Sequence, residues 1–280
     1  MTAATGSKSS HGPRRGEIRF AANLKWLFTE LSFPDRFEAA ASSGFTAVEY
    51  ASPYEYDPAV LQRALQKWNL QQVLINTPAG DAGTLGVNGY ACIPGYTETF
   101  RSGVHRALDY ASALNCRLIH LMAGRMPAGC SQSEAEDVFR ANLVWAAERA
   151  ANCNVTFVLE CLNQQDAPGY FLSSLDHAST FIREIPKRNV KLLFDFYHAG
   201  MSGVNPLDAF ARHRADIAHI QVADVPGRHE PGTGTLPWAA IARAIARADY
   251  PGWIGCEYRP ESTTTAGLHW RREFRKSFED

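Results

Sequence analysis

The stretch Thr156-Phe157-Val158-Leu159-Glu160-Cys161, followed downstream by Lys191-Leu192-Leu193-Phe194-Asp195-Phe196, holds two short apolar runs that are each interrupted near their end by a carboxylate. Further short apolar runs lie at residues 18–24, 47–50, 72–76, 118–123, 217–224 and 253–258. They alternate with helix-length amphipathic segments, which is the pattern of βα units around a parallel sheet. About eight such units are what closure into a (β/α)8 barrel requires, and barrels of roughly 250 residues fold as one unit. The reading is therefore a single α/β TIM barrel over residues 17–280 of the 280-residue chain.

Two helix candidates anchor this frame. In residues 33–43, Phe33, Phe37, Ala40 and Ala41 recur at helical spacing, with Gly44 as the stop. In residues 131–151, Ser131 caps, Glu134 and Glu136 sit in the first turn, and Val138, Leu143, Ala146 and Ala150 form the apolar stripe. The long Gly-, Pro- and Asn-rich connection at residues 77–97 follows the third strand, so it is expected to hang over the C-terminal mouth as a lid or binding loop. Residues 1–16 are rich in Ser, Thr, Gly and basic residues without apolar periodicity, and are expected to form a disordered tail.

Composition narrows the partners. The formal net charge is −1, so nothing draws the chain to nucleic acid or to an anionic membrane surface. No apolar run approaches the ~20 residues of a membrane span and no secretory h-region opens the chain, which points to the cytoplasm. The six cysteines, Cys92, Cys116, Cys130, Cys153, Cys161 and Cys256, contain no Cys-x-x-Cys pair and read as reduced and mostly buried. Gly232 and Gly234 lack the Gly-x-Gly-x-x-Gly turn, so no nucleotide cofactor is expected.

Four late strands carry a polar residue near their end: Glu160, Asp195, Gln221 in His219-Ile220-Gln221-Val222, and Glu257 in Gly255-Cys256-Glu257-Tyr258. Any one acid could be a strand-end residue paired with a helix-borne Arg or Lys. Three carboxylates converging on one mouth instead require a shared cation or protons, because a buried unpaired carboxylate costs several kcal/mol. Four oxygen donors suit a hard divalent ion, Mg2+ or Mn2+, better than zinc. With Glu160 and Glu257 pointing inward, alternation turns Cys161 and Cys256 outward to the helices.

Several stretches carry a resemblance. Ala21-Ala22-Asn23-Leu24 with Leu27-Phe28-Thr29-Glu30, Ala91-Cys92-Ile93-Pro94-Gly95, Pro127-Ala128-Gly129, Gly227-Arg228-His229-Glu230-Pro231-Gly232-Thr233-Gly234 and Gly252-Trp253-Ile254-Gly255-Cys256-Glu257-Tyr258 occur in order. Together they resemble the hydroxypyruvate isomerase family, which includes the closely similar 2-oxo-tetronate isomerases and, more distantly, the ketose 3-epimerases of the xylose isomerase-like barrels. The resemblance implies Glu160 and Glu257 as the acid/base pair, and a metal held by those two with Asp195 and Gln221 that turnover need not require. Related epimerases carry His where this chain has Gln221, and a neutral amide oxygen holds a hard ion more weakly. His198 resembles the family's substrate-side His, and Asp166 matches an acidic residue that helps bind substrate in the epimerases, although an Asp before Ala-Pro-Gly also forms turns.

The chemistry implied is movement of a proton between adjacent carbons of hydroxypyruvate and tartronate semialdehyde through an enediolate, with 2-oxo-tetronate or a ketose as the alternative substrate. Such a small-molecule sugar acid needs a fixed cation for its carboxylate, and Arg228 is the best candidate unless it is tied to Glu230. His120 and His219 read as hydrogen-bonded core residues or as groups facing the mouth, and Lys25 and Glu30 as site neighbours or a mutual pair. An abasic-site nuclease of the same barrel class would need more His ligands and a basic face. A sugar-acid sensor would not need both glutamates, and a homo-oligomer remains open.

Overall fold

The computed structural model describes residues 18–279, so the expected tail at residues 1–16 lies outside the described residues. The strands are β1 (Phe20–Asn23), β2 (Ala47–Glu49), β3 (Gln71–Gln72), β4 (Leu74–Asn76), β5 (Leu118–His120), β6 (Thr156–Glu160), β7 (Val190–Asp195), β8 (Ile217–Val222) and β9 (Ile254–Cys256). All pair in parallel in the order β3-β2-β1-β9-β8-β7-β6-β5-β4. The expected third strand is split at Val73 into a piece that pairs with β2 and a piece that pairs with β5. Its backbone still bridges the two: Val73 N donates to Val48 O (2.9 Å) and Asn76 N donates to Ala51 O (3.0 Å). The two ends of the sheet thus meet, and the (β/α)8 barrel is formed.

Among the described residues ten α-helices run between and after the strands: α1 (Asp35–Ser42), α2 (Pro58–Lys67), α3 (Thr97–Ala113), α4 (Gln132–Ala150), α5 (Leu175–Glu184), α6 (Phe196–Met201), α7 (Pro206–His213), α8 (Trp238–Arg247), α9 (Thr264–Gly267) and α10 (Trp270–Glu279). Helix α1 starts later than expected, at Asp35, because Pro34 precedes it without a side-chain cap. It stops at Gly44, whose φ of 78° is the left-handed region that glycine enters without cost. Helix α4 is capped as its sequence implies, with Ser131 Oγ accepting from Glu134 N (3.2 Å). Phe139, not Val138, lies on its buried stripe, with Ala135 before it and Leu143, Ala146 and Ala150 behind it.

Two cores result. The larger lies between strands and helices and includes Phe139, Phe157, Phe181, Phe194 and Tyr258. Cys256 belongs to it and Cys161 packs against it, so both face the helices as alternation requires. Cys92 and Cys116 are also buried, whereas Cys153 is exposed, and all six cysteines are free. The smaller core fills the barrel itself: Ala21, Ala47, Val73, Leu74, Val158 and Leu193, with Leu118, Ala218 and Trp253 against them. No helix among the described residues is long and apolar enough to cross a membrane.

The connection after β4 runs over residues 77–96 and is partly built into the fold rather than free above it. Ala91, Cys92 and Ile93 are fully buried, Cys92 N donates to Ala123 O (2.8 Å), and Asn142 Nδ2 donates to Ala91 O (2.9 Å). Gly89 makes this docking feasible, since a Cβ there would overlap the Met122 backbone. Exposure is concentrated at residues 79–85. Phe139→Ala is expected to lower unfolding free energy by about 3–5 kcal/mol and Val138→Ala by no more than about 1 kcal/mol, measured by denaturant unfolding.

Candidate active site

Alternation along each strand builds the site. Two positions beyond the residues of the inner core come Asn23, Glu49, Asn76, His120, Glu160 and Asp195, followed around the ring by Gln221 and Glu257. Pairing sets Asn23 beside Glu49, Asn76 beside His120, and Asp195 beside Gln221. Every unit of the barrel thus offers one polar side chain at the C-terminal end of its strand. The signal that marks Glu160 and Glu257 in the sequence, a polar residue closing an apolar run, also stands in Phe20-Ala21-Ala22-Asn23 and Ala47-Val48-Glu49. Sequence reasoning confined to the late strands missed Glu49 and gave Asn23 no role.

Glu160 and Asp195 are buried, at 6% and 4% exposure. Burial pushes the Glu160 carboxyl well above the usual carboxylate range, and the charges of Glu257 and Asp195 add to this. Burial likewise pushes Asp195 up to about 7, against the pull of Arg228. Asp195 Oδ1 accepts from Tyr197 N (2.8 Å) at the start of α6, while Asp195 Oδ2, Glu160 Oε1 and Gln221 Oε1 are buried without a hydrogen-bond partner. His120 Nδ1 lies 3.4 Å from Glu160 Oε2, and burial lowers this imidazole to about 3, with His219 contributing. It is a neutral neighbour of the acid.

His198 stands 3.8 Å from Glu160, on α6. Glu160, Asp195 and His198 offer atoms within 4.8 Å of one another, a spacing that could hold a metal ion. The hydrogen bonds assign His198 a different part. Its Nδ1 accepts from Asn163 N (3.1 Å), and because a backbone amide can only donate, the ring proton sits on Nε2, facing Glu160. Burial holds His198 well below its usual range, so it is a neutral donor. The partnerless oxygens of Glu160, Asp195 and Gln221 are the atoms a hard cation would satisfy.

Glu257 is engaged differently from the other members of the expected metal set. Arg228 donates to its Oε2 (2.8 Å) and Asn23 Nδ2 to its Oε1 (3.2 Å). The Arg228 guanidinium lies between the Trp26 ring (4.7 Å) and the Tyr197 ring (4.8 Å) and reaches Asp166 at 3.5 Å. Burial pulls Arg228 down, but the carboxylates of Glu257, Asp195 and Glu160 outweigh that and raise it. Its left-handed φ of 57° aims the side chain into the mouth. Arg228 is therefore not tied to Glu230, which accepts from Glu261 N instead (2.9 Å). Asp166 accepts from the Tyr197 hydroxyl (2.9 Å), and its own backbone N–H donates the turn hydrogen bond to Asn163 Oδ1 (2.9 Å). Lys25 and Arg259 stand 5.7 and 5.8 Å from the Trp26 ring, so three cations border that aromatic face. No ion pair joins Lys25 to Glu30 among the described residues. A cleft of about 410 Å³ between α5 and α7 also reaches Asp195 and His198.

Comparison with known proteins agrees with this architecture. A family described as xylose isomerase-like TIM barrel matches residues 37–275. A 2-oxo-tetronate isomerase of Cupriavidus necator is 41% identical over 256 residues, covering 91% of this chain and 98% of that protein. A hydroxypyruvate isomerase of Escherichia coli is 39% identical over 258 residues, covering 92% and 100%. Among solved structures, one of Brucella melitensis described as an AP endonuclease, family 2, superposes with TM-score 0.88 at 38% identity, covering 92% and 100%. A D-psicose 3-epimerase of Clostridium cellulolyticum, at TM-score 0.73 and 18% identity over 94% and 96%, shares the fold.

The raised Asp195 carboxyl has a consequence for stability. In metal-free protein the folded state holds a proton there that the unfolded chain, titrating near 3.8, has lost. The stabilisation this proton brings is complete below that value and is lost as pH rises through about 7. Asp195→Asn keeps a cap oxygen for Tyr197 N but removes the titration. The variant should therefore gain thermal midpoint relative to the native protein between about pH 4 and about pH 7. Parallel midpoint curves would show that Asp195 does not titrate in that window.

Proposed function

The chain belongs to the xylose isomerase-like TIM-barrel family, and we propose that it interconverts hydroxypyruvate and tartronate semialdehyde. It is an isomerase of the kind its relatives represent, and the finer reading is a proton transfer between two glutamates. The observation that carries it is the contrast at the mouth: a buried Glu160 whose carboxyl is held well above the usual carboxylate range, and a Glu257 that is ion-paired with Arg228. One acid and one base on a ring of polar strand ends is what an enediolate route requires.

In the forward direction a glutamate takes a proton from the hydroxymethyl carbon, and the electron pair moves into the new carbon–carbon double bond and onto the carbonyl oxygen. A proton is then delivered to the former carbonyl carbon, while the hydroxyl proton passes from one oxygen to the other. Glu257 is the charged partner and Glu160 the proton donor in this assignment. His198 Nε2–H is the donor for a substrate oxygen, its direction set by Asn163. Arg228 binds the substrate carboxylate, helped by Asp166, which holds the guanidinium and Tyr197 in place. Lys25 and Arg259 add positive potential at the rim for an anionic substrate.

Glu160, Asp195 and Gln221 are the residues that would hold Mg2+ or Mn2+, with Glu257 as a fourth ligand once released from Arg228 and Asn23. Such an ion would stabilise the oxygen on which negative charge develops. The nearly equal identity to a 2-oxo-tetronate isomerase favours that longer acid as the second reading. Nuclease action on DNA fits poorly with a chain of net charge −1 whose mouth is lined by carboxylates.

Solvent-deuterium incorporation followed by NMR tests the route on both acids, with EDTA-treated and Mg2+- or Mn2+-supplemented protein. Label on the exchanged carbons of hydroxypyruvate with product formation is expected, and no exchange with either acid in any metal state overturns the reading. Glu160→Gln and Glu257→Gln should each lower turnover by about 10²–10⁴-fold while the thermal midpoint stays near native. Arg228→Lys should mainly raise KM for hydroxypyruvate, by about tenfold, because a point charge replaces a two-pronged grip.

A further inference from the structure

Beneath the mouth sits a carboxylate to which the proposed proton transfer gives no part. Glu49 is fully buried at the end of β2. Its Oε1 accepts from Gln221 Nε2 (2.8 Å) and Asn23 Nδ2 (3.0 Å), and its Oε2 meets His219 Nε2 (2.6 Å). The inner layer makes room for it: position 255, opposite both Ala21 and Gln221 in register, is glycine, and a Cβ there would overlap the Glu49 carboxylate. The side chain thus reaches from β2 across the barrel to β8 and β9.

A carboxylate without its proton can only accept hydrogen bonds, so whichever end of an amide faces it must be the NH2. For Gln221 this turns Oε1 the other way, and that oxygen is buried with no partner. Asn23 is fully committed by the same logic. Its Nδ2 is shared between Glu49 and Glu257, and its Oδ1 accepts from Lys25 N (3.1 Å). Glu49 therefore touches, through one intervening amide each, the acceptor offered by Gln221 and the carboxyl of Glu257.

We infer that Glu49 is a positioning residue that acts through Gln221, orienting its amide with the oxygen toward the reacting groups. This also accounts for an amide on β8: a residue there must donate downward to Glu49 and accept upward at once, which a glutamine does with its two ends. The inference rests on the isomerase reading of the site, in which Gln221 Oε1 serves as a ligand or acceptor.

The experiment is a double-mutant cycle on turnover of hydroxypyruvate, with Gln221→Met, Glu49→Gln and Gly255→Ala. Gln221→Met keeps the side-chain length and removes both amide ends. Glu49→Gln removes the charge that sets the amide. Gly255→Ala leaves Glu49 chemically intact and displaces its carboxylate, which keeps the test available if the first variant does not fold. Each single change should lower kcat about tenfold or more with KM nearly unchanged, and neither Glu49→Gln nor Gly255→Ala should add a comparable further loss to Gln221→Met. Normal kcat in folded Glu49→Gln or Gly255→Ala, beside a disabled Gln221→Met, overturns the positioning role alone. Losses that multiply independently do the same. Normal kcat in Gln221→Met removes the role of Gln221 itself, and the inference about Glu49 with it.

Discussion

The constraint on which this structure turns is the cost of holding carboxylates inside a barrel. Four acidic side chains, Glu49, Glu160, Asp195 and Glu257, lie at the ends of strands whose next inward residues are Ala47, Val158, Leu193 and Gly255. Glu49, Glu160 and Asp195 are buried and Glu257 is largely so, and a carboxylate taken out of water needs a proton, a donor or a cation. The molecule uses all three solutions at different positions. Glu49 has three hydrogen-bond partners, Glu257 has Arg228 and Asn23, and Glu160 and Asp195 have their affinity for protons raised.

That division is what makes the ring chemically useful. Were all four acids treated alike, none could serve as acid against another as base. The asymmetry arises from neighbours that are not acids: Arg228, fixed between Trp26 and Tyr197 and carried on a loop with a left-handed backbone at that residue, stands on the Glu257 side. His120 and His198, both neutral, stand on the Glu160 side and add no charge that would strip its proton. The helix that follows β7 contributes twice, taking the Asp195 cap and presenting His198.

Beneath this layer, packing and polarity depend on one another. Small residues Ala21 and Ala47 and the glycine at 255 leave space in the barrel that larger side chains would fill, and the Glu49 carboxylate extends into part of it. His219 takes an inner-layer position from which it reaches the same carboxylate. A network of this kind tolerates substitution poorly, because removing one partner leaves the rest buried and unsatisfied.

Much of this was legible in the order of residues. Strand-length apolar runs alternating with capped helices specify a barrel locally, through propensities and periodicities that do not depend on distant contacts, and the four late polar positions stand out because each breaks an apolar run. The approximate ends of α4 and α1 follow from Ser131 and Gly44 for the same reason. What the chain order could not decide is which distant residues share a partner. Glu49 and Gln221 are separated by 172 positions, and only closure of the sheet through Val73 and pairing around the ring bring their side chains to 2.8 Å. The pairing of Arg228 with Glu257 rather than Glu230, and the split of the third strand, likewise arise from closure: a ring imposes neighbours that local sequence does not contain.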